Sequence, residues 1–179
     1  MANHFSQLAK KSRTNGSLEK IAKEQTGTPS LDIYKLGDDV LRQNSKRITK
    51  VDESIRKLAR EMLQSMYAAK GIGLAAPQIG INKELLVIDV NFEDSAAEPL
   101  ILINPEITDF GTTLNSYEEG CLSIPGVYLN VVRPSTIKLK FRDEMGRPRK
   151  MKADGLLARC IQHEMDHLNG ILSVDRIID

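Results

Sequence analysis

The sequence has little of several residue types on which particular protein classes depend. It contains no Trp, two Cys and three His among its 179 residues. Two cysteines are too few for a disulfide framework and are typical of a reducing compartment. No apolar run approaches the roughly 18 residues that span a bilayer, and residues 1–30 lack the apolar block of a secretory signal. We therefore expect a soluble cytoplasmic protein with no membrane partner.

An excess of charge of one sign is also absent. The 25 basic residues balance 24 acidic residues, which leaves a formal net charge of +1. Such a chain has no overall field that attracts nucleic acid or an anionic membrane, so we expect no specific nucleic-acid partner. A length of 179 residues with 41% hydrophobic content is typical of one compact domain.

The chain divides by composition into a short polar part and a longer patterned part. Residues 1–30 are rich in Lys, Ser, Thr and Gly, and their few apolar residues form no strong stripe. We predict a flexible N-terminal extension over 1–30 and a catalytic domain over 31–179. Lys10, Lys11 and Arg13 could serve a ribosome contact or belong to a targeting remnant, but we favour a disordered tail.

The apolar spacing predicts strands grouped between two helices. Apolar residues recur at helical spacing over 51–70, with Asp52 as the N-cap candidate and Gly71 as the stop. A last helix is capped by Asp154 and closed by Gly170. Without βαβ alternation, this order predicts an α+β fold. The predicted strands and hairpin are 85–90, 100–103 ended by Asn104 and Pro105, 136–142, and a turn over 143–148.

The last predicted helix carries an HExxH motif, His163-Glu164-Met165-Asp166-His167. Imidazoles four residues apart project from one helix face and can share a metal ion, with Glu164 beside a bound water. An acidic surface helix that carries two histidines by chance is the alternative. Catalytic sites of this kind usually take three protein ligands, so a third ligand is needed.

The third ligand must come from upstream of the motif. Ser173 stands where a metzincin has its third histidine, and residues 168–179 contain no Glu for a thermolysin-like site. Cys160 lies one turn before His163 and fits a core or pocket-wall position better than a ligand. Cys121 lies between Gly and Pro residues that predict an irregular loop able to present a thiolate. A buried apolar role for Cys121 remains the alternative.

A glycine-rich segment, GIGLAAPQIG, follows the first predicted helix. It contains the GxGxxA pattern of dinucleotide folds, but that pattern follows a strand and opens a helix, whereas this one follows a helix and meets Pro77. We interpret the glycines as places where backbone approaches a substrate, and Gln78 as an amide donor to a developing oxyanion. A turn needed only for packing is the alternative.

Together, GIGLAAPQIG, EGCLSIPG and QHEMDH resemble, in order, the three motifs of the peptide deformylase family. The resemblance implies a hydrolase that removes the formyl group from the N-terminal formylmethionine of newly made proteins and releases formate. It also implies antiparallel sheets packed around a central HExxH helix in a single domain. Tyr128, at a position where many family members have Arg, is similar to the plastid-type and cyanobacterial variant.

The resemblance also implies roles for individual residues. Cys121, His163 and His167 would be metal ligands, Glu164 the general acid and base, and Gln78 with the Leu122 backbone N–H the oxyanion hole. Tyr128 would contact the substrate backbone. The methionine pocket would be formed by Gly71, Ile72, Gly73, Glu119, Leu122, Cys160 and His163.

The cofactor, partners and location follow from the same resemblance. The family uses one divalent ion, Fe2+ as the native metal with Zn2+, Ni2+ or Co2+ as substitutes, which implies sensitivity to oxygen. N-formylmethionyl nascent peptides would be the substrates. The location would be the cytoplasm of a bacterium, and a cyanobacterium is favoured over a plastid. Transient ribosome contact stays open, because the basic C-terminal helix of many members is not present. The alternatives are a hydrolase of another small amide, a silent metal-binding module and a ribosome-associated binding protein.

Overall fold

The computed structural model describes Lys23 and residues 31–177, which fold into helices and antiparallel strands. The predicted flexible extension over 1–30 lies outside these residues, Lys23 excepted. The helices are α1 (Glu53–Ala68) and α2 (Gly155–Leu168), with short 3-10 helices at Asp39–Arg42, Ala76–Ile79 and Ser173–Arg176. The strands are β1 (Gly73–Ala75), β2 (Leu85–Ile88), β3 (Leu100–Phe110), β4 (Leu114–Cys121), β5 (Ile124–Pro134), β6 (Thr136–Arg142) and β7 (Pro148–Asp154).

The strands form two antiparallel sheets. A five-stranded sheet has the order β1-β2-β3-β6-β7, and β4 pairs with β5 in a two-stranded sheet. All seven strands lie between α1 and α2 in the chain, and no βαβ unit occurs in the described part of it. The predicted α+β fold with antiparallel sheets in a single domain is confirmed.

Strand β2 shows how the apolar pattern places the two helices. Each of its four residues is buried, because successive side chains point to opposite faces of the sheet and both faces are covered. Leu85 and Val87 pack in the cluster that contains the apolar face of α1. Leu86 and Ile88 pack in the cluster that contains α2. The sheet is therefore sandwiched between a supporting helix and the helix that carries the HExxH motif.

Helix α2 occupies a central position. It contacts β1, β2, β6 and β7 of the larger sheet and β5 of the smaller one. Ile137, Leu139 and Phe141 of β6 are buried alternately with exposed residues and pack in the same cluster as Leu157 and Ile161 of α2. The prediction of a half-buried strand at this place and of a central HExxH helix is confirmed.

The predicted helix boundaries need small corrections. Asp52 caps α1 as expected, because its carboxylate accepts the Ile55 N–H at 3.2 Å. Lys70, rather than Gly71, takes the left-handed conformation beyond the helix, with φ of 59°. Asp154 precedes α2 but its side chain makes no capping hydrogen bond. Gly170 ends that helix as predicted, with φ of 70°.

The prediction that Asn104 and Pro105 end a strand is wrong. Strand β3 continues through both residues to Phe110, with a register shift between Ile103 and Glu106. Asn104 has φ of 50°, a conformation that Asn tolerates better than most residues. A bulge of this kind accommodates Pro105 within a strand, because the ladder is already interrupted there.

Asn104 also fastens the bulge to the segment before α1. Its side chain accepts the Ile48 N–H at 2.8 Å and donates to the Ile48 carbonyl at 2.7 Å. Asn104→Ala should lower the free energy of unfolding by about 2–4 kcal/mol, because two buried backbone groups lose their partners. The measurement is urea unfolding, with Asn130→Ala at an exposed position of β5 as the control. An Asn104 variant as stable as the control would contradict this account.

Among the described residues, no helix is both long enough and apolar enough to cross a membrane.

Candidate metal centre

Three side chains of types that bind metal ions converge at the buried face of α2. One ligand atom each from Cys121, His163 and His167 lies within 4.8 Å of the others. The Cys121 Sγ is 3.4 Å from His167 Nε2, and the two imidazole centroids are 5.1 Å apart. The structure thus brings together the three residues that the sequence singled out as ligands, and Cys160 is not part of the cluster.

The local structure around Cys121 differs from the predicted irregular loop. Cys121 is the last residue of β4 and pairs with Ile124 across a tight hairpin turn. The register shifts between Gly120 and Cys121, so that a bulge turns the cysteine relative to the regular strand. A strand end fixed by its hairpin partner holds the thiol more rigidly than a loop would.

The donor set and its surroundings fit a divalent cation. A thiol with two imidazoles is a ligand set of zinc and of other first-row metals, and three protein ligands leave a coordination position for a reactant. Glu164 Oε2 and His167 Nδ1 are buried and have no hydrogen-bond partner among the described residues. Since buried polar atoms normally have partners, both atoms are suited to meet groups that the chain itself does not supply.

Glu119 orients the first histidine. Its Oε2 lies 3.0 Å from His163 Nδ1, which leaves Nε2 of that imidazole free to act as a ligand. Although burial alone would raise it, hydrogen bonds from His163 and Arg133 lower the pKa of Glu119 to about 2. Glu119 is therefore an ionised carboxylate behind the ligand, an arrangement that makes an imidazole more basic and fixes its tautomer.

Buried arginine side chains hold this carboxylate in place. Arg133 of β5 forms a two-point contact with Glu119 at 2.7 and 3.0 Å and donates to Asp166 at 2.9 Å. Arg159 of α2 adds a contact to Glu119 at 2.7 Å, and Arg176 binds Asp166 at 2.6 Å. The resulting network joins β4, β5 and α2 directly behind His163.

The network contains residues that the sequence analysis did not single out, namely Arg133, Arg159, Asp166 and Arg176. Arg133 follows the buried Val131 at strand spacing and is itself 4% exposed. An arginine at an inward position of an alternating strand is the pattern that could have indicated it. Because β5 was not predicted, that alternation was not recognised.

Burial and hydrogen bonding together set the ionisation of the groups around the cluster. Burial raises the pKa of Glu164 to about 7, although His163 opposes the shift. A carboxyl group with such a pKa exchanges protons readily at neutral pH. Burial lowers the pKa of His167 to about 3 and so keeps it neutral. At His163, burial alone would lower the pKa, but hydrogen bonds with Cys121 and Glu119 raise it. Cys160 is buried, and burial raises its thiol pKa so that it remains protonated.

Gln78 is held beside Cys121. Its Oε1 accepts the Ala75 N–H at 2.9 Å, and its Nε2 donates to Ser123 Oγ at 3.1 Å. The same Nε2 lies 3.7 Å from Cys121 Sγ. These contacts fix the amide so that its nitrogen lies beside Cys121, and Ser123 is a further contributor that the sequence analysis missed.

Two glycines before Gln78 lie in close contact with Glu164 and Leu122. A Cβ at Gly73 would lie 2.6 Å from Glu164 Oε1, and a Cβ at Gly71 would lie 2.7 Å from Leu122 Cδ1. Ile72 lies between them and accepts the Asp89 N–H at 2.9 Å. The structure thus gives a reason for glycine besides substrate approach, because a side chain at Gly73 would displace the Glu164 carboxylate.

Gly73→Ala should therefore lower kcat while leaving the metal content unchanged. The new methyl group must push the Glu164 carboxylate away, whereas at Gly71 it meets a leucine side chain that can rotate. We expect a loss of roughly 100-fold or more for Gly73→Ala, comparable to weakening a general base, and a smaller loss for Gly71→Ala. Steady-state kinetics with metal analysis measure both, and equal losses in the two variants would contradict the explanation.

Tyr128 lies at the rim rather than in the cluster. It pairs with Gly120 across the hairpin, is 65% exposed, and its ring covers Gly120 so closely that a Cβ there would lie 2.8 Å from Tyr128 Cε1. The residue next along the chain from Gly120 is Cys121 of the ligand cluster. Leu122 follows Cys121 in the hairpin turn. Cys160 lies one turn before Glu164 in α2.

The comparisons with known proteins agree on one family. The family model described as polypeptide deformylase matches residues 30–179. A peptide deformylase of Prochlorococcus marinus (strain AS9601) is 96% identical over 177 residues, which cover 99% of this chain and 88% of that protein. A crystal structure of a peptide deformylase from Synechococcus elongatus in complex with actinonin has 56% identity and a TM-score of 0.89, covering 91% of this chain and 89% of that one. The structure of the Thermotoga maritima peptide deformylase has 40% identity and a TM-score of 0.79, covering 83% and 98%.

Proposed function

Because the chain belongs to the polypeptide deformylase family, we propose that its Cys121–His163–His167 centre hydrolyses the formyl amide of N-formylmethionyl peptides with Glu164 as general base and acid. Family membership makes the chain an enzyme that removes an N-terminal formyl group. What we propose beyond that is the role of each residue. The observation that carries it is a buried Glu164 carboxylate, partly without a partner, next to a three-residue metal-ligand cluster.

The chemistry starts with the water that attacks the formyl carbon. When bound by Cys121, His163 and His167, a divalent cation supplies positive charge that acidifies a water molecule to a pKa of about 7 and polarises a carbonyl. Glu164 takes the proton from that water, for which its raised pKa of about 7 is suited. Because Gly73 has no side chain, the Glu164 carboxylate can keep this position.

The negative charge that develops on the formyl oxygen needs hydrogen-bond donors. The donors that we assign are Gln78 Nε2 and the Leu122 backbone N–H. The Gln78 amide is held at its oxygen by the Ala75 N–H and at its nitrogen by Ser123. Loss of one such donor typically costs about 100-fold or more in rate. Glu164 then gives its proton to the departing amine, which yields formate and a free N-terminus.

Substrate selection involves the surroundings of the cluster. We assign the methionine pocket to Gly71, Ile72, Gly73, Glu119 and Cys160, and contact with the peptide backbone to Tyr128. The main role of the ionised Glu119 is to orient His163. In the pocket it forms part of the wall. The exposed ring of Tyr128 can stack along a peptide but cannot supply the charge of an arginine.

The native ion that we propose is Fe2+, with Zn2+, Ni2+ or Co2+ as substitutes. A thiolate ligand together with ferrous iron would make the enzyme sensitive to oxygen. Metal analysis of protein purified without oxygen, and activity after loading each ion in turn, test the identity. Cytoplasmic location among nascent chains and transient ribosome contact remain predictions.

The test is anaerobic hydrolysis of formyl-Met-Ala-Ser by iron-loaded protein, with acetyl-Met-Ala-Ser as the matched substrate control. Formate release from the formyl peptide alone supports the proposal. Full metal occupancy without formate release would contradict it and would favour a different small amide or a silent metal site. Cosedimentation with ribosomes that persists without any hydrolysis would instead favour a binding protein.

A further inference from the structure

One contact of the catalytic domain involves the segment that composition marked as an extension. The Lys23 side chain is 8% exposed, and its ammonium group lies 2.8 Å from Asp89 Oδ2. The same Nζ donates to the Ala97 carbonyl at 2.6 Å and to the Asp94 carbonyl at 2.9 Å, with the Asn91 carbonyl at 3.4 Å. Lys23 thus enters a recess built by the residues that follow β2.

The arrangement matches a primary ammonium group. An ammonium has three N–H donors, and three acceptors lie within 2.9 Å of Nζ, one carboxylate and two carbonyl oxygens. A planar guanidinium has its donors in a fixed fork and does not reproduce this arrangement around one nitrogen.

Asp89 requires a cation at this place. Its side chain is 1% exposed, and a buried carboxylate is costly unless it is paired and hydrogen-bonded. Its other partners are neutral donors, the Tyr67 hydroxyl at 2.6 Å and the Asn91 N–H at 2.9 Å. Burial raises the pKa of Tyr67, which keeps its hydroxyl protonated. Among the described residues, Lys23 is the one ion-pair partner of Asp89.

Asp89 is also tied to the strand that leads into the metal centre. Its N–H donates to the Ile72 carbonyl at 2.9 Å, and the residue before it pairs with Gly73. Tyr67 connects the same carboxylate to α1. A cation bound here therefore stabilises the junction of α1, β1 and β2.

We propose that Asp89 and the carbonyls of Asn91, Asp94 and Ala97 form a socket for a primary alkylammonium group, occupied by Lys23 of the same chain. The contact fastens residue 23 to the catalytic domain at the α1–β1–β2 junction. The proposal is independent of the deformylase chemistry, because neither Lys23 nor the socket touches the ligand cluster.

The first test removes the side chain and supplies the missing group in solution. Lys23→Ala should lower Tm by roughly 5–10 °C, as expected when a buried carboxylate loses its partner. Propylammonium, which replaces the deleted atoms, should raise the Tm of this variant in a concentration-dependent way. Tetramethylammonium has no N–H and should not. The matched control is Lys57→Ala, since Lys57 pairs with Glu61 at the surface at 3.9 Å, and neither cation should change its Tm.

The second test measures access to Lys23 directly. Trypsin must take the lysine side chain into its own pocket, so a seated Lys23 should resist cleavage at the bond that follows it. Asp89→Asn should increase cleavage after Lys23 by at least about tenfold, the effect of losing roughly 1.4 kcal/mol of local protection. Cleavage after Lys35, an exposed residue followed by the exposed Leu36, is the internal control and should not change.

Two results of the amine test would overturn the socket, and so would one result of the protease test. One is a Lys23→Ala variant with the parent's Tm and no response to propylammonium. The other is rescue of that variant by tetramethylammonium as strong as by propylammonium, which would show unspecific charge screening. Rapid cleavage after Lys23 in the parent protein would likewise show that the side chain is not seated. If Asp89→Asn fails to fold, the amine rescue of Lys23→Ala still decides.

Discussion

Glu164→Gln should lower kcat by about 10²–10⁴-fold, the usual contribution of a general acid–base group, and should leave the metal content unchanged. The carboxylate is buried beside the ligand cluster but is not one of its three members. Gln has the same shape and cannot take a proton from water or return one to the amine. The rate of formate release at saturating formyl-Met-Ala-Ser gives kcat, and metal analysis of the same sample gives the metal content.

The control for this substitution is Glu106→Gln, at an exposed residue of β3 that pairs with Lys140 at 3.4 Å. It makes the same chemical change at the surface and should keep the parent's kcat. A Glu164→Gln variant with near-parent turnover would show that another group moves the proton. A variant that loses its metal would instead mean that Glu164 supports the ligand geometry.

Cys121→Ala should abolish stable metal binding and, with it, formate release. Substitutions of residues that merely orient a ligand typically reduce metal affinity by 10–100-fold, so we expect removal of a ligand to cost more than about 100-fold. Only two protein ligands would remain, and both belong to α2. Metal content after gel filtration and the rate of loss to a chelator provide the measurement.

The chain offers a matched control for this change in its second cysteine. Cys160→Ala alters a buried thiol in the same helix as the two histidines, yet Cys160 is not part of the ligand cluster. Its metal content should equal the parent's. Loss of metal in Cys160→Ala, with retention in Cys121→Ala, would show that the two cysteines had been assigned the wrong way round.

The elements that the sequence predicted correctly are those with a strong local pattern. Helix α1 has a capping Asp52 and a regular apolar face, and β6 has the alternation of a half-buried strand. Strand β3 was predicted too short because Asn104 and Pro105 resemble a turn. The bulge that accommodates both residues depends on the Ile48 backbone, which lies 56 residues away in the sequence.

The hairpin of β4 and β5 was missed for a related reason. Most residues of β4 are exposed, so the strand lacks the apolar alternation by which strands are recognised. Its pairing with β5 and the packing of Glu119, Arg133 and Cys121 against α2 create its order. A contact of that kind has no local signal in either strand.

By itself, the sequence predicted the family of this protein and the three residues of the ligand cluster. The HExxH spacing places two imidazoles and Glu164 on one helix face, the absence of other ligand candidates downstream points to Cys121, and the three motifs predicted the family that the comparisons confirm. These inferences hold because helix geometry and ligand preference act over a few residues. The tertiary structure alone decided how the centre is supported, through the Arg133 network, the room at Gly73 and the seat of Lys23. Each of these joins segments far apart in the chain, and pairing of buried charges becomes visible only when packing removes water from both partners.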